Sequence, residues 1–212
     1  MKTRHSAILL AAGRSSRMGM AKGLLPWRGI TLFEYQVMQL LASQATDVVV
    51  VLGHDPLPYM KLARQYPVKV VWNKNFDQGK TSSILCGLPA TNKETESIAI
   101  VAVDQPVSSV VIDSLITFMQ TNASLISIPI YQNKRGHPVL FSQSMYDKLL
   151  QITEQTSGLR QLLHECKDEI AEVTVADPAV LFNLNTPEDY LNAIASEGRN
   201  ECEDITNRTG FS

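Results

Sequence analysis

The stretch Ser6 to Lys22, S-A-I-L-L-A-A-G-R-S-S-R-M-G-M-A-K, turns from an unbroken apolar run into a basic loop containing two glycines. Gly13 and Gly19 let backbone N–H groups approach an anion, and Arg14, Arg17 and Lys22 offset its charge. Phosphate suits this composition; a solvated basic turn after a buried strand is the other reading. Asp104 closes the apolar run Ile98 to Val103 and precedes Gln105-Pro106. A lone carboxylate there can hold Mg²⁺ while phosphate oxygens complete the shell, or it can cap the helix expected from Ser108. Gln78-Gly79, followed by Ser82-Ser83, can offer donors to a base or ribose, or can simply turn into a capped helix.

Other chemistries find no support in the residue pattern. Gly79-Lys80-Thr81 looks like the end of a Walker A loop, but Lys74 stands where that motif needs a glycine. No G-x-G-x-x-G follows the first strand and no G-x-S-x-G elbow occurs. His5, His54, His137 and His164 are scattered without metal spacing, and Cys86 in an apolar helical stretch reads as core.

The elements that must position these residues alternate. Ala7 to Ala12, Val48 to Leu52, Val68 to Trp72, Ile98 to Val103 and Leu125 to Pro129 read as strands, the continuous apolar runs among them as strands buried on both faces. Between them, Gly23 to Ile30 reads as a connector. Thr31 to Glu34 is a capping box opening a helix to about Ala42, with Phe33, Val37, Leu40 and Leu41 on one face. Further helices are expected before Pro67, from Thr81 or Ser82, and over Ser108 to Gln120. The β-α alternation predicts a Rossmann-like α/β/α sandwich on a mostly parallel sheet, with ligands beyond the carboxyl ends of the strands. The rhythm changes after Tyr131. Val139 to Phe141 is expected to form a short antiparallel strand, partnered by Ile170 to Val175 at a sheet edge. Two short helices lie between these strands, and Thr186-Pro187 caps a final helix.

At 212 residues, 44% hydrophobic and with net charge −2, the chain fits one globular domain over 1–196 and a loose tail over 197–212. That charge gives no reason to expect nucleic acid or a membrane as partner. Cys86, Cys166 and Cys202 fit neither a disulfide framework nor a metal knuckle. Lys2 and Arg4 precede an apolar run too short for a secretory segment, so the sequons at Asn122 and Asn207 read as chance matches and the expected location is cytoplasmic.

Taken together, L-A-A-G-R-S-S-R-M-G-M-A-K resembles the L-A-(A/G)-G-x-(S/x)-x-R-M-G-x-x-K signature of the nucleotidyltransferases related to molybdenum cofactor nucleotidylation. Gln78-Gly79 with Ser82-Ser83, Asp104-Gln105-Pro106, Gly136-His137-Pro138-Val139 and Asn183-Leu184-Asn185-Thr186-Pro187-Glu188-Asp189 follow in the family's order. The resemblance implies transfer of a nucleoside monophosphate to a phosphorylated acceptor, with release of pyrophosphate. Leu10, Ala11, Ala12, Gly13, Arg14, Ser15, Gly19 and Lys22, with Gln78, Gly79, Ser82 and Ser83, would bind the nucleotide. Arg17, Lys22 and Asp104 would be catalytic. Asp104 and Asn185, or else Asn183, would hold Mg²⁺. Gly136, His137 and the region after Ser157 would meet the acceptor. Ala12 with Asp104-Gln105-Pro106 resembles the cytidylyltransferase branch, which implies CTP as donor and molybdopterin as acceptor. A molybdoenzyme or its insertion chaperone would then be a downstream partner. The amides Asn183 and Asn185 resemble the guanylyltransferase branch instead and keep GTP open; the alternatives are a transferase acting on a sugar or polyol phosphate and, against intact Arg17, Lys22 and Asp104, a non-catalytic partner that delivers the cofactor.

Overall fold

The apolar runs do form the sheet they predict. The computed structural model describes residues 4–197. In chain order the strands and α-helices are β1 His5–Ala11, β2 Pro26–Trp27, β3 Ile30–Thr31, α1 Leu32–Ala42, β4 Asp47–Leu52, α2 Pro56–Ala63, β5 Lys69–Trp72 and α3 Lys80–Gly87. Then follow β6 Ser97–Ala102, α4 Ser109–Asn122, β7 Ile126–Tyr131, β8 Lys134–Arg135, β9 Val139–Ser142, α5 Tyr146–Leu150, α6 Leu159–Glu165 and β10 Ile170–Thr174. A last helix, α7, occupies 187–197. The main sheet runs β10-β7-β9-β6-β1-β4-β5, with β8 paired to β7.

Around β1 the pairing is parallel: β4 lies on one side, β6 on the other, and β5 beyond β4. Side chains alternate across a strand, so Ala7, Leu9 and Ala11 enter one core with Phe33, Val37, Leu40, Ile112 and Leu115 of α1 and α4. Ile8 and Leu10 enter the other with Ile84, Leu88, Phe141 and Leu162. Both faces of β1 are covered, which is why its sequence shows no polar alternation. The three-layer α/β/α expectation is met. The capping box is also present, with Glu34 N donating to Thr31 Oγ1 at 3.2 Å and Thr31 N to Glu34 Oε2 at the same distance.

Two expectations change. Val139–Ser142 is antiparallel as expected, yet it lies inside the sheet between β6 and β7, and Ile170–Thr174 joins β7 in parallel rather than pairing with it. Its apolar residues needed a covered place, and Val139, Leu140 and Phe141 are buried there. The connector Gly23 to Ile30 contains the small antiparallel pair β2–β3. Glu197 ends the described part of α7, where its carboxylate accepts from Arg28 Nε at 2.6 Å; the rest of the expected tail, with Cys202 and Asn207, lies outside the described residues. No helix among the described residues is long and apolar enough to cross a membrane.

Candidate active site

From β1 the chain goes to β4 and β5 on one side and returns to β6 on the other, so the order reverses between β1 and β6. Loops diverge at such a reversal and leave a crevice at the carboxyl ends. A cavity of about 600 Å³ opens there, lined by Leu10 to Gly13, Ser15, Arg17 and Lys22 after β1 and by Ala102 to Gln105 after β6. Gly79, Lys80 and Ser83 of the α3 start, Tyr59, Phe76, Arg160, Asn183 and Asn185 complete the lining.

The loop after β1 folds back on itself. Ser15, at φ +54°, accepts from Met18 N through its carbonyl at 2.9 Å and from Lys22 N through Oγ at 3.1 Å, and Gly19 sits at φ +72°. This brings Lys22 inward, where only 9% of its surface remains exposed. Its ammonium donates to Asp104 Oδ2 at 2.7 Å and to Asn185 Oδ1 at 2.8 Å. Arg17 Nη2 donates to the same Asn185 oxygen at 3.2 Å. Residues far apart in sequence thus meet across the reversal between β1 and β6.

Asn185 is held by the motif around it. Leu184 N donates to the Asp104 carbonyl at 2.9 Å, joining the two segments through the backbone. Asp189 Oδ2 accepts from Asn185 N at 3.2 Å and Thr186 N at 2.8 Å, while Asp189 N donates to Thr186 Oγ1 at 3.2 Å. This is a capping box with Asp in place of Glu, and the hydrogen bonds from Thr186 hold the Asp189 carboxyl below its ordinary pKa. Asn183 points elsewhere: its oxygen accepts from Gln105 Nε2 at 2.6 Å. The pair converging with Asp104 is therefore Lys22 and Asn185.

Other expected site residues lie outside the lining. Arg14 stacks on the Phe76 ring, its guanidinium carbon 5.1 Å from the centroid. Ser82 donates to the carbonyls of Gly79 at 2.8 Å and Asn75 at 3.0 Å, so it fastens the turn before α3 while Ser83 faces the cavity. Gly19, Gln78, Gly136 and His137 do not line it. Gly136 is pressed on the Val180 backbone, where an added Cβ would meet the carbonyl oxygen at 2.5 Å, and His137 N donates to that oxygen at 2.8 Å. Burial, helped by the charge of Lys80, lowers the His137 pKa to about 4, with Asp104 pulling upward.

Tyr59, Phe76, Lys80 and Arg160 line the cavity without having been singled out from the sequence. The Lys80 side chain is exposed at the cavity mouth, yet the protein around its ammonium lowers its pKa, with Asp104 acting in the opposite sense. Its only signal was the glycine-lysine turn that fails as a Walker loop. Arg160, early in a short helix, falls in the region after Ser157 that is expected to meet the acceptor, although nothing in the sequence singles out the residue itself.

The geometry gives an anion cavity bordered by Arg17, Lys22, Lys80 and Arg160, with Asp104 the single carboxylate among its lining residues. The model of the MobA-like NTP transferase domain matches residues 7–170. The chain belongs to this family. It is 24% identical over 186 residues to the molybdenum cofactor cytidylyltransferase of Escherichia coli, covering 88% of this chain and 93% of that protein. It is 28% identical over 203 residues to the molybdenum cofactor guanylyltransferase of Xanthomonas euvesicatoria, covering 89% and 94%. The nicotine blue oxidoreductase of Paenarthrobacter nicotinovorans matches at 29% over 168 residues, covering 76% and 81%. Among solved structures, a nucleotidyl transferase from Methanothermobacter thermautotroptrophicus superposes with a TM-score of 0.79 at 26% identity, covering 93% of this chain and 99% of that one. Fold and family make this MobA-like protein an NTP-dependent nucleotidyltransferase acting on a phosphorylated acceptor.

Proposed function

We propose that the protein transfers a nucleoside monophosphate to the phosphate of molybdopterin, with GTP ahead of CTP as donor. The observation that carries the transfer reading is the Lys22–Asp104–Asn185 constellation at the head of the cavity. Four cations face one carboxylate there, a balance suited to two phosphate-bearing substrates. The Gly13–Lys22 loop would hold the triphosphate, and Lys22 would offset the charge that builds on the departing pyrophosphate. An oxygen of the acceptor phosphate attacks the α-phosphorus; a new P–O bond forms as the bond to pyrophosphate breaks, and pyrophosphate leaves with the electron pair. The acceptor dianion has no proton to give up, so the step needs positioning and charge neutralisation and no histidine or serine constellation.

Asp104 Oδ2 and Asn185 Oδ1 converge on one point, at present the Lys22 ammonium. Two hard oxygens of this kind fit Mg²⁺, which keeps waters and takes phosphate oxygens rather than needing an all-protein cage. Among the described residues there is no cluster of three or more His, Cys, Asp or Glu, so the ion would arrive with the nucleotide. When bound it would supply further charge neutralisation on the phosphates.

GTP is favoured by the guanylyltransferase relatives and by the two amides Asn183 and Asn185. CTP remains the second reading because Ala12 lines the cavity and packs against Gly53, narrowing the wall between the ends of β1 and β4. The deciding assay incubates the protein with each of the four NTPs, Mg²⁺ and molybdopterin and scores pyrophosphate. Release with GTP is expected. Release with CTP alone would reverse the donor order, and turnover only with a sugar or polyol phosphate would overturn the acceptor.

A further inference from the structure

Two of the four cavity cations are already engaged. Lys22 is bonded to Asp104 and Asn185, and Arg17 to Asn185. The other two, Lys80 and Arg160, have no side-chain hydrogen bond or ion pair among the described residues, although both line the same cavity as Asp104. They also belong to a different layer. The loop carrying Lys22 packs through Ala21 and Leu24 on the core of α1 and α4, whereas α3 and α6 pack through Ile84, Leu159 and Leu162 on the opposite core.

A tight contact joins the two segments that carry these cations. Glu154 Oε2 accepts from Thr81 N at 3.1 Å, across 73 residues of sequence. A Cβ on Gly79 would overlap the Glu154 carboxyl, and one on Gly158 would overlap Thr81 Oγ1. Lys80 follows the first of these glycines and Arg160 lies just after the second. Gly79 at φ +98° and Gly158 at φ +55° carry no Cβ, and this lets each backbone sit against a side chain of the other segment.

In-line displacement at the α-phosphorus requires the acceptor oxygen to enter on the side away from the leaving pyrophosphate. If the Gly13–Lys22 loop holds the pyrophosphate end, the acceptor must come from the α3–α6 side. We infer that Lys80 and Arg160 form a separate binding place for the acceptor's phosphate monoester dianion, held in register by the Glu154–Thr81 contact. The inference rests on the transferase reading for the identity of its ligand and on the two unpartnered cations for its location. Arg160 offers a planar fork to phosphate oxygens and Lys80 a compact point charge. Both are positioning groups: they place the attacking oxygen and leave the triphosphate alone.

The test separates the two ends of the cavity. Lys80→Ala and Arg160→Ala should each raise the acceptor KM about 10- to 100-fold, with the NTP KM nearly unchanged. Lys80→Arg should recover most of the loss. Glu154→Gln should give a smaller rise in the same constant. A second readout needs no turnover: inorganic phosphate titrated into protein saturated with Mg²⁺ and an α,β-methylene NTP should bind the native chain and bind the alanine variants at least about tenfold more weakly. A raised NTP KM with an unchanged acceptor KM would place these cations on the triphosphate and overturn the inference, as would phosphate that binds both forms alike or fails to bind the native chain. Phosphate binding lost in the variants of a protein that turns over no acceptor would uphold the anion site and remove the transferase reading.

Discussion

The two sides of the cavity are built in different ways. The β1 side takes its groups from one contiguous loop, Gly13 to Lys22, launched by a fully buried strand. The α3–α6 side takes Lys80 and Arg160 from separate helices, joined by the hydrogen bond from Thr81 to Glu154 in the turn before α6 and by the packing of Gly158 on Thr81. On the first side the cations are tied down before substrate arrives; on the second they are held only through their backbones. Under the proposed function this is a division of labour, in which the side with its cations already bonded would organise the reacting phosphates and the side with unbonded cations would admit the acceptor.

Breaking the rigid side should have the largest effect. Asp104→Ala is expected to lower kcat by about 10³-fold or more and Lys22→Ala by about 10²- to 10³-fold, as when donors aimed at developing charge are removed. Circular dichroism and thermal melting would show whether the fold persists. A change confined to KM in the Lys22 variant would reduce that residue to simple binding.

His137, outside the cavity lining but within the influence of Lys80 and Asp104, supplies a pH-dependent test. Its pKa is lowered to about 4 in the folded protein, against 6.5 when unfolded. The unfolded chain therefore binds more protons between those values, so the contribution is complete above about pH 6.5 and is lost as pH falls toward 4. The loss amounts to roughly 3 kcal/mol at most. His5, buried against Ser97 and Gln120, acts in the same sense. Urea midpoints measured across this window should fall less steeply with acid in His137→Gln; identical profiles would mean that the ring is not held neutral.

Gly136→Ala strains a different support. The new methyl would meet the Val180 carbonyl oxygen at 2.5 Å, a backbone atom that cannot rotate away. A loss of about 1–3 kcal/mol in unfolding free energy is expected. Ala12→Gly should have the smallest effect, a rise of about tenfold or less in the ratio of kcat/KM for GTP over CTP, the low end of what one methyl contributes in a packed pocket, since this one borders an open cavity. An unchanged ratio would remove Ala12 from the choice of base.

The same contrast explains what could be read in the sequence. The buried strands were legible because covering both faces of β1, β4 and β6 demands continuous apolar runs. Gly13 to Lys22 was legible because glycines and cations lie side by side. Asp104 stood out as the charge ending a strand. The place of Val139–Ser142 inside the sheet was not legible, since an apolar tetrapeptide carries no record of its neighbours. Lys80 and Arg160 were not picked out individually: Lys80 sits in a turn that fails as a Walker loop, Arg160 was covered only by the region after Ser157, and it is the fold that brings the two segments to one cavity, through Glu154 and Thr81. Asn183 and Asn185 were indistinguishable by type; their partners separate them, Gln105 bonding Asn183 while Lys22 and Arg17 bond Asn185.

In the proposed reaction the α-phosphorus, and no other phosphorus of the nucleotide, passes to an acceptor phosphate. Paired reactions with GTP labelled at the α or at the γ position, with Mg²⁺ and molybdopterin, test it directly. Expected are α-label in the acceptor product and γ-label in pyrophosphate, in equal amounts, with both lost in Asp104→Ala. Label passing from the γ position to the acceptor, or equal transfer by the Asp104 variant, would contradict it.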